Sequence, residues 1–478
     1  MAEYLSPGVF IEDVPNTPVA EAVSTSTGGF VGIAQRGKVG KPIFISSWNA
    51  YINEFAMGMS SPFLANSDLA YAVYGFFQNG GKRCYVQRVA SKAVKCATLS
   101  NPNENPTLVI SAKDEGEWGN KIKVAITANA DVNTAFDLTV TLDEEKVEVF
   151  KGLTNTVGDE NYWIDILDEQ SSYIMGVSGV LAVLSATALT GGADGITDIA
   201  DSDFTDALKN FDVIDDLNLL CIPGQTSTAI NTAVMSYCEN RTDVFAILDA
   251  PEASTVSSIV EQRKTMSCKN AALYFPWIKV SDPLSKTGKL RVCPPCGHVM
   301  GVYARTIAER GVWKAPAGTE AIIRGAVDVN TVLSNADTDI LNPAGIVSIL
   351  PKTNYGIVIW GARDLHPQSS MKYISDVLLD IFIKKSVYQS TQPFVFEPND
   401  ANTWTRVTAT VEAFLDNLWR DGGLKGESAK EAYFVKCDED LNTANSTNAG
   451  RLICEVGYAQ KKPAEFVVFR FSHDLASN

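Results

Sequence analysis

Strands that alternate with helices fill the middle of the chain, and this alternation restricts the fold more than any other feature. Apolar runs at 217–222, 243–248 and 271–275 have the length and the β-branched content of buried strands. Segments with helical spacing separate them, at 226–240 and 255–266. Because strands that are joined through helices run in the same direction, the pattern predicts a parallel sheet covered on both faces.

A different pattern occupies residues 91–195, where short strands follow one another between turn residues. The runs at 121–127 and 136–142 place an apolar residue at every second position. Such spacing is typical of a small β-sandwich or barrel. We therefore expect an all-β domain inserted between two parts of an α/β core.

Two amphipathic helices are expected towards the C-terminal end, at 369–386 and 401–419, each with apolar residues at helical spacing. Asp400 stands where an N-cap of the second helix is needed. Further strands are expected at 431–437, at 452–458 and beyond Pro463.

Both ends of the chain have the composition of strands. One run, at 9–14, follows a Ser-Pro-Gly turn, and another, at 464–471, follows Pro463. Chain ends usually fray unless a sheet or a helix holds them. We therefore expect these runs to complete a sheet, in this chain or in another copy of it. The candidate residues are Val9, Phe10, Ile11, Val14, Phe466, Val467, Val468, Phe469 and Phe471.

Length and charge limit the class of protein. A chain of 478 residues is too long for one ordinary core, so about two to four domains are expected. The 40 basic and 56 acidic residues give a formal net charge of −16, which argues against a phosphate-binding surface for nucleic acid. The sequence contains no apolar run long enough to span a membrane.

Cys293 and Cys296 are the sharpest candidates for chemistry, with a C-x-x-C spacing and His298 two residues further on. This spacing occurs in redox pairs and in half of a zinc site. A zinc site needs a second pair of ligands; His298, His366 and His473 are the available histidines, and Cys268 is a conceivable third ligand that lies 25 residues away without a partner. We expect the pair to lie in a rigid Pro-Pro-x-Gly loop, away from any helix N-terminus, so an incidental role is favoured. An α/β redox or metal-binding enzyme that uses Cys293 and Cys296 stays as the alternative.

Other chemical motifs are weaker. The run 438–442 begins like a calcium loop, but Thr443 stands where such a loop needs glycine, so a solvated hairpin loop is favoured. The sequence lacks a G-x-S-x-G elbow, a P-loop and an H-E-x-x-H motif, and it has only three histidines. We therefore expect no enzyme, with no catalytic, cofactor-binding or metal-binding residues.

Short motifs, taken in their order along nearly the whole chain, resemble the contractile tail sheath family of phages and related injection particles. Each motif alone is unspecific, and their joint order carries the resemblance. The motifs are YLSPGVFIE at 4–12, FFQNGG at 76–81, CYVQRV at 84–89, AILDAP at 246–251, YFPW at 274–277, PPCGH at 294–298, GVYAR at 301–305, RGVWKAP at 310–316, IWGAR at 359–363, FEPN at 396–399 and PAEF at 463–466.

The resemblance implies a structural subunit that polymerises helically, in stacked rings, around an inner tail tube and contracts to drive the tube through a target envelope. The implied partners are other copies of the chain, a tail tube protein, and baseplate and tail terminator proteins. Direct nucleic-acid contact and membrane insertion are not implied. The implied location is the tail of a virion that is assembled in the host cytoplasm, and a bacterial secretion-type sheath stays open. In such an array the terminal strands would add to sheets of neighbouring subunits.

These patterns together predict an α/β multidomain protein. Its core sheet is expected to be built from N- and C-terminal parts of the chain, with an inserted all-β domain and extended terminal strand arms. The expected parts are an N-terminal linking arm (1–27), the first part of the core (28–90), the inserted β domain (91–195), an α/β sheath domain (196–350), a C-terminal core domain (351–462) and a C-terminal linking strand (463–478).

Overall fold

A computed structural model of the chain describes residues 25–102, 106–132 and 134–466. Contacts divide these residues into two compact units, one from Thr25 to Leu378 and one from Leu379 onward. The terminal runs at 9–14 and 467–471 lie outside the described residues. None of the described helices combines the length and the apolar character needed to cross a lipid bilayer.

The first elements of the unit from Thr25 to Leu378 come from residues before the insertion. The helix that begins at Leu69 has Asp68 as its N-cap residue, and the hydroxyl of Ser67 accepts a hydrogen bond from the N–H of Leu69 (3.2 Å). The elements are β1 (Gly28–Gly32), β2 (Ile43–Ile45), α1 (Trp48–Phe55), α2 (Leu69–Gln78) and β3 (Cys84–Arg88).

The insertion forms two antiparallel sheets that enclose one hydrophobic core. Their strand orders are β10-β6-β7-β8 and β4-β5-β9, and alternate residues of both sheets, such as Ile110 and Val140, are fully buried against each other. The alternating pattern in the sequence thus corresponds to a small sandwich. The elements are β4 (Thr98–Asn101), β5 (Leu108–Ala112), β6 (Ile122–Ala128), β7 (Phe136–Leu142), β8 (Glu145–Leu153), α3 (Trp163–Gln170), β9 (Ile174–Ser178) and β10 (Leu184–Ala188).

The two ends of the insertion meet at one point, which we call the neck. The N–H of Ser91 donates to the carbonyl of Gly195 (2.8 Å). Beside the neck, the fully buried Arg88 donates to the carbonyls of Glu115 (2.7 Å) and Asp194 (3.0 Å), both in the insertion, and to a third carbonyl in the core. These hydrogen bonds satisfy both terminal nitrogens of a guanidinium that is costly to desolvate, whereas its Nε–H is buried without a hydrogen-bond partner among the described residues.

The residues after the insertion complete the main sheet, whose strand order is β18-β17-β13-β12-β11-β1-β3-β2. Strands β3, β1, β11, β12, β13 and β17 are parallel, as the alternation predicts, and β18 and β2 are antiparallel to their neighbours. The α/β fold class is confirmed. The elements are α4 (Asp201–Leu208), β11 (Leu219–Cys221), α5 (Thr228–Arg241), β12 (Phe245–Asp249), α6 (Val256–Arg263), β13 (Ala271–Phe275), β14 (Ile278–Ser281), β15 (Leu290–Cys293), α7 (Cys296–Arg310), β16 (Ala326–Val329), α8 (Asn335–Leu341), β17 (Ile346–Lys352), β18 (Gly356–Trp360) and α9 (Ile374–Thr391).

Helix α7 corrects the expectation of a loop at 294–298. The helix begins at Cys296, with Pro295 as its N-cap residue, because a proline at a helix start costs no backbone hydrogen bond. Glycines let α7 lie close to α2. A Cβ atom on Gly297 would lie 2.3 Å from the carbonyl oxygen of Ala72.

The unit from Leu379 onward contains the rest of α9, a second long helix and a hairpin. The carboxylate of Asp400 accepts the N–H of Thr403 (3.0 Å), so the predicted cap is confirmed. The boundary between the compact units lies within α9, whereas the predicted boundary at 350–351 would cut β17. The elements are α10 (Ala401–Arg420), α11 (Ala429–Ala432), β19 (Tyr433–Lys436), α12 (Ala444–Asn448) and β20 (Glu455–Tyr458).

Candidate assembly interface

The C-terminal hairpin, β19 with β20, is the element of the described chain best suited to receive another strand. Its residues pair antiparallel, from Tyr433 opposite Tyr458 to Lys436 opposite Glu455. Within the described residues no further strand joins this sheet. An isolated pair of strands is marginally stable, and its outer edges offer unpaired backbone groups to an incoming chain.

One face of the hairpin packs on the helices of its own unit. Tyr433, Val435, Val456 and Tyr458 share this face and are half-buried. The hydroxyl of Tyr458 donates to the carboxylate of Asp380 in α9 (2.5 Å), and burial together with this bond raises the pKa of Tyr458. The hairpin therefore has a fixed position within its unit.

The opposite face of the hairpin carries an exposed aromatic residue. Phe434 is 52% exposed, and its ring covers Gly457, where a Cβ atom would lie 2.1 Å from the ring. The ring shields the glycine backbone on a strand that would otherwise lack a side chain to pack. The outer face thus stays apolar at its centre, with charged Lys436 and Glu455 at its end.

The register shows which backbone groups point outward. The N–H of Ala459 donates to the carbonyl of Ala432 (2.8 Å), a bond that flanks Tyr433 and Tyr458 and identifies them as a non-hydrogen-bonded pair. Because hydrogen-bonded and non-hydrogen-bonded pairs alternate, Val435 and Val456 form a non-hydrogen-bonded pair. Their N–H and carbonyl groups therefore face the outer edges of β19 and β20. A bridge between Leu424 and Gln460 meets the β20 side only beyond the end of that strand.

The predicted strand-exchange residues of the chain ends lie almost entirely outside the described residues. These are Val9, Phe10, Ile11, Val14, Val467, Val468, Phe469 and Phe471. Phe466, the last described residue, is 72% exposed and lies outside any strand of the described chain. Their pairing with another copy stays a prediction.

The cysteine pair of the core unit occupies a different environment from the one expected. Cys293 ends β15 and Cys296 begins α7, so the second thiol does lie at a helix N-terminus. That terminus is already occupied, since the carboxylate of Asp249 accepts the N–H groups of Cys296 (2.9 Å) and Gly224 (3.2 Å). Burial raises the pKa of both thiols well above the usual value. A protonated, buried thiol is a poor nucleophile and a poor metal ligand.

The histidines offer little to a metal site. His298 is fully buried against Gly75, and burial lowers its pKa to about 4. His366 shares a hydrogen bond with the hydroxyl of Ser267 (3.0 Å), and His473 lies outside the described residues. Among the described residues, no group of three or more His, Cys, Asp or Glu side chains is arranged to hold a metal ion.

Sequence reasoning missed the hairpin as an acceptor. It predicted strands at 431–437 and 452–458, and both exist in shorter form. The signal that could have identified the acceptor is the alternation of Tyr433 and Val435 with Phe434, which marks a strand with one packed face and one free face.

Comparisons with known proteins match the chain to phage tail sheath proteins. Residues 197–364 match the phage tail sheath protein central domain, and residues 367–473 match the phage tail sheath C-terminal domain, together more than half of the chain. A putative prophage major tail sheath protein of Pseudomonas aeruginosa (strain UCBPP-PA14) is 27% identical over 259 residues, which are 53% of this chain and 64% of that protein. The tail sheath protein of Salmonella phage ViI is 24% identical over 374 residues, 71% of this chain and 54% of that protein. The chain thus spans between about half and two thirds of the length of these curated relatives.

Solved structures show the same fold at lower sequence identity. The PVC sheath complex of an extracellular contractile injection system, in its contracted state, aligns with a TM-score of 0.64 at 22% identity and covers 99% of both chains. A sheath tail protein from Listeria innocua aligns with a TM-score of 0.65 at 14% identity over 92% of this chain and 96% of that chain.

Proposed function

Because the chain belongs to the phage tail sheath family, we propose that it is the structural subunit of a contractile tail sheath. In this role copies of the chain polymerise helically around an inner tail tube, and contraction of the array drives the tube through a target envelope. The further partners are the tail tube protein, baseplate proteins and a tail terminator. The resulting location is the tail of a virion that is assembled in the host cytoplasm.

The C-terminal hairpin carries the proposal at the level of residues. One face of the hairpin is anchored through Tyr458 to Asp380, so the position of its edges is defined before any partner arrives. The backbone groups of Val435 and Val456 point to those edges. A strand from a neighbouring copy gains main-chain hydrogen bonds there and converts a marginal pair of strands into a larger sheet.

The terminal runs of the chain are the proposed donors. Val9–Val14 and Phe466–Phe471 are rich in β-branched and aromatic residues, which fit a half-buried position in a sheet. A head-to-tail contact of this kind does not close on itself, so it generates an open helical array. A flexible arm between such a strand and the core would let subunits rotate while they stay linked.

Negative-stain electron microscopy of the purified chain at high concentration tests the proposal directly. Tubes or rings are expected, and particles of uniform small size at every concentration would contradict it. Chains that lack residues 1–15, or the residues from 465 onward, are expected to stay folded and to form no tubes. Normal tubes from either shortened chain would remove that end from the linkage.

A pair of substitutions tests the hairpin itself. Val435→Pro removes the outward N–H without removing a hydrogen bond between β19 and β20, whereas Val435→Ala keeps that N–H and shortens the side chain. We expect the alanine variant to assemble and the proline variant to stay unassembled if β19 receives the strand. Val456→Pro makes the same test for β20. If both proline variants fold and form normal tubes, the hairpin is not the acceptor.

A further inference from the structure

Two cysteines stand directly beyond the last pair of the C-terminal hairpin, and their sulfurs are neighbours. Cys437 follows Lys436 and Cys454 precedes Glu455, and Lys436 and Glu455 are opposite each other in the register. Cys437 and Cys454 are therefore opposite residues on the face that also carries the Val435 and Val456 side chains. Both are free thiols and both are partly exposed.

The geometry of this pair suits a covalent bond. The ladder ends at Lys436 and Glu455, and the next position in its alternation is a non-hydrogen-bonded one, for which a regular ladder has Cα atoms about 4.5 Å apart. Disulfides occur with Cα separations of about 4.4–6.8 Å, so the bond requires no large backbone movement. Of the seven other thiols, only Cys96 is also partly exposed, and Cys84, Cys221, Cys238, Cys268, Cys293 and Cys296 are buried.

The loop between the two cysteines is already closed by side-chain contacts. The amide of Asn442 donates to the sulfur of Cys437 (3.7 Å) and to the carbonyl of Ile453 (2.9 Å), and its oxygen accepts the N–H of Ile453 (2.7 Å). Asn442 is buried, although most of its loop is exposed. This contact holds both ends of the 438–453 loop together and keeps the two sulfurs as neighbours.

We propose that Cys437 and Cys454 form a disulfide when the protein meets a low-molecular-weight disulfide such as oxidised glutathione. One thiolate attacks glutathione disulfide, forms a mixed disulfide and releases one glutathione. The second thiolate attacks the protein sulfur of the mixed disulfide and releases another glutathione. Two S–H bonds are lost and one S–S bond forms, so the protein dithiol is oxidised and glutathione disulfide is reduced.

The pKa values of the two thiols limit the rate of this disulfide exchange. Burial raises the pKa of both groups, and for Cys454 burial and the neighbouring Cys437 sulfur raise it to about 12. Few chains carry a thiolate at neutral pH, and the reaction accelerates as the pH rises. The pair therefore stays reduced in a reducing cytosol and oxidises slowly after release into an oxidising medium.

Peptide mapping of the purified full chain tests the bond. Trypsin cleaves after Lys436, Arg451 and Lys461, so Cys437 and Cys454 fall on separate peptides, 437–451 and 452–461. After incubation with oxidised glutathione and alkylation of the remaining thiols, we expect these two peptides as one linked species that is about 2 Da lighter than their sum. The link is expected to persist in the Cys293→Ser/Cys296→Ser variant and to vanish in Cys454→Ser. Two separately alkylated peptides, two glutathione adducts or a link to another cysteine would overturn the proposal.

The bond has a measurable structural effect. A disulfide around this loop is expected to slow amide exchange in 438–453 by about tenfold or more, and the same treatment of Cys454→Ser is expected to change nothing. Equal exchange in the oxidised and reduced chains would show that the bond does not restrain the loop. A stiffer hairpin end would also make an assembled sheath harder to dissociate, which rests on the proposed function. The peptide link is measured on the unassembled chain, so its absence and a failure to polymerise are separate results.

Discussion

The main sheet and the C-terminal hairpin use the same backbone pairing in opposite environments. All residues of β12 and β13 are buried, whereas no residue of β19 or β20, which the structure describes in full, reaches that state. Helices and neighbouring strands cover the main sheet, whereas the hairpin has one packed face and pairs with no further strand in the part of the chain that the structure describes. Since burial of apolar area supplies most folding free energy, the main sheet gains more stability from its own chain than the hairpin does, and the hairpin has more to gain from a partner.

A cavity in the main sheet is expected to cost more stability than any other single change considered below. Leu273 in β13 is almost fully buried, and Leu273→Ala is expected to lower the free energy of unfolding by about 2–5 kcal/mol. Urea unfolding of the unassembled chain measures this change. Val332→Ala, at a residue 73% exposed, is the matched control and is expected to change the free energy by less than about 0.5 kcal/mol. Equal losses of free energy of unfolding in Leu273→Ala and Val332→Ala would show that burial in the main sheet does not supply the expected stability.

Buried carboxyl groups make the stability of the main sheet sensitive to pH. Burial raises the pKa of Asp249 from 3.8 to about 7, so the folded chain holds a proton that the unfolded chain releases between these values. The stabilisation is complete below pH 3.8 and is lost as the pH rises through about 7. From about pH 6 to about pH 8 the free energy of unfolding is expected to fall by about 1.4 kcal/mol through this group.

Asp249→Asn is the variant that isolates this effect, and denaturant unfolding at several pH values is the measurement. The free energy of unfolding of Asp249→Asn should fall less steeply with pH than that of the natural chain. Some pH dependence should remain, because burial also raises the pKa of Asp364 to about 7. Exposed Asp339→Asn is the control, with the original slope. An unchanged slope in Asp249→Asn would mean that this carboxyl is ionised throughout.

The hydrogen bond between Tyr458 and Asp380 anchors the hairpin within its unit. Tyr458→Phe removes the hydroxyl that donates to Asp380, and we expect a loss of about 1 kcal/mol, confined to the hairpin. Hydrogen exchange at 433–436 should accelerate about fivefold, with no change in the main sheet. Tyr388→Phe, at a tyrosine 66% exposed on α9, should leave the exchange unaltered. Uniform acceleration along the chain would show that the hairpin does not open separately.

The smallest expected effect is a gain of stability near α10. Phe396 has a φ of 70° and is fully exposed, a backbone conformation that costs free energy for a bulky side chain. Phe396→Asn is expected to raise the free energy of unfolding by about 0.5–1 kcal/mol, because asparagine tolerates this conformation. Val395→Asn, at the exposed neighbour with a φ of −66°, should bring no gain in the same thermal unfolding measurement.

Helices and strands that are specified by their own residues could be predicted from the sequence. The strand at 271–275 is correct to the residue, and Asp400 caps α10 as expected, because each depends on local apolar spacing or on one side chain. Helix α7 was missed because Pro294 and Pro295 are typical of a loop, and the carboxylate that caps α7 comes from Asp249, far away in the sequence. Sequence rules that consider only neighbouring residues cannot predict a contact between residues that are so far apart in the chain.

The candidate interface was predictable only in part. The terminal runs are visible in the sequence because of their composition, and their pairing stays a prediction. The hairpin edges and the Cys437–Cys454 pair depend on register, which arises when 433–436 and 455–458 meet in the folded chain. The sequence shows two cysteines 17 positions apart and gives no reason to place them opposite each other.

The neck has a consequence for how the chain can be shortened. Because Ser91 and Gly195 are already hydrogen-bonded, excision of the residues between them leaves two ends that a short linker can join without moving the core. The same cut removes the Glu115 and Asp194 carbonyls, so the Arg88 guanidinium keeps only the Gly37 carbonyl as a protein acceptor and takes water in place of the other two. The site of Arg88 would then change from a buried contact inside the protein to a charged position on its surface.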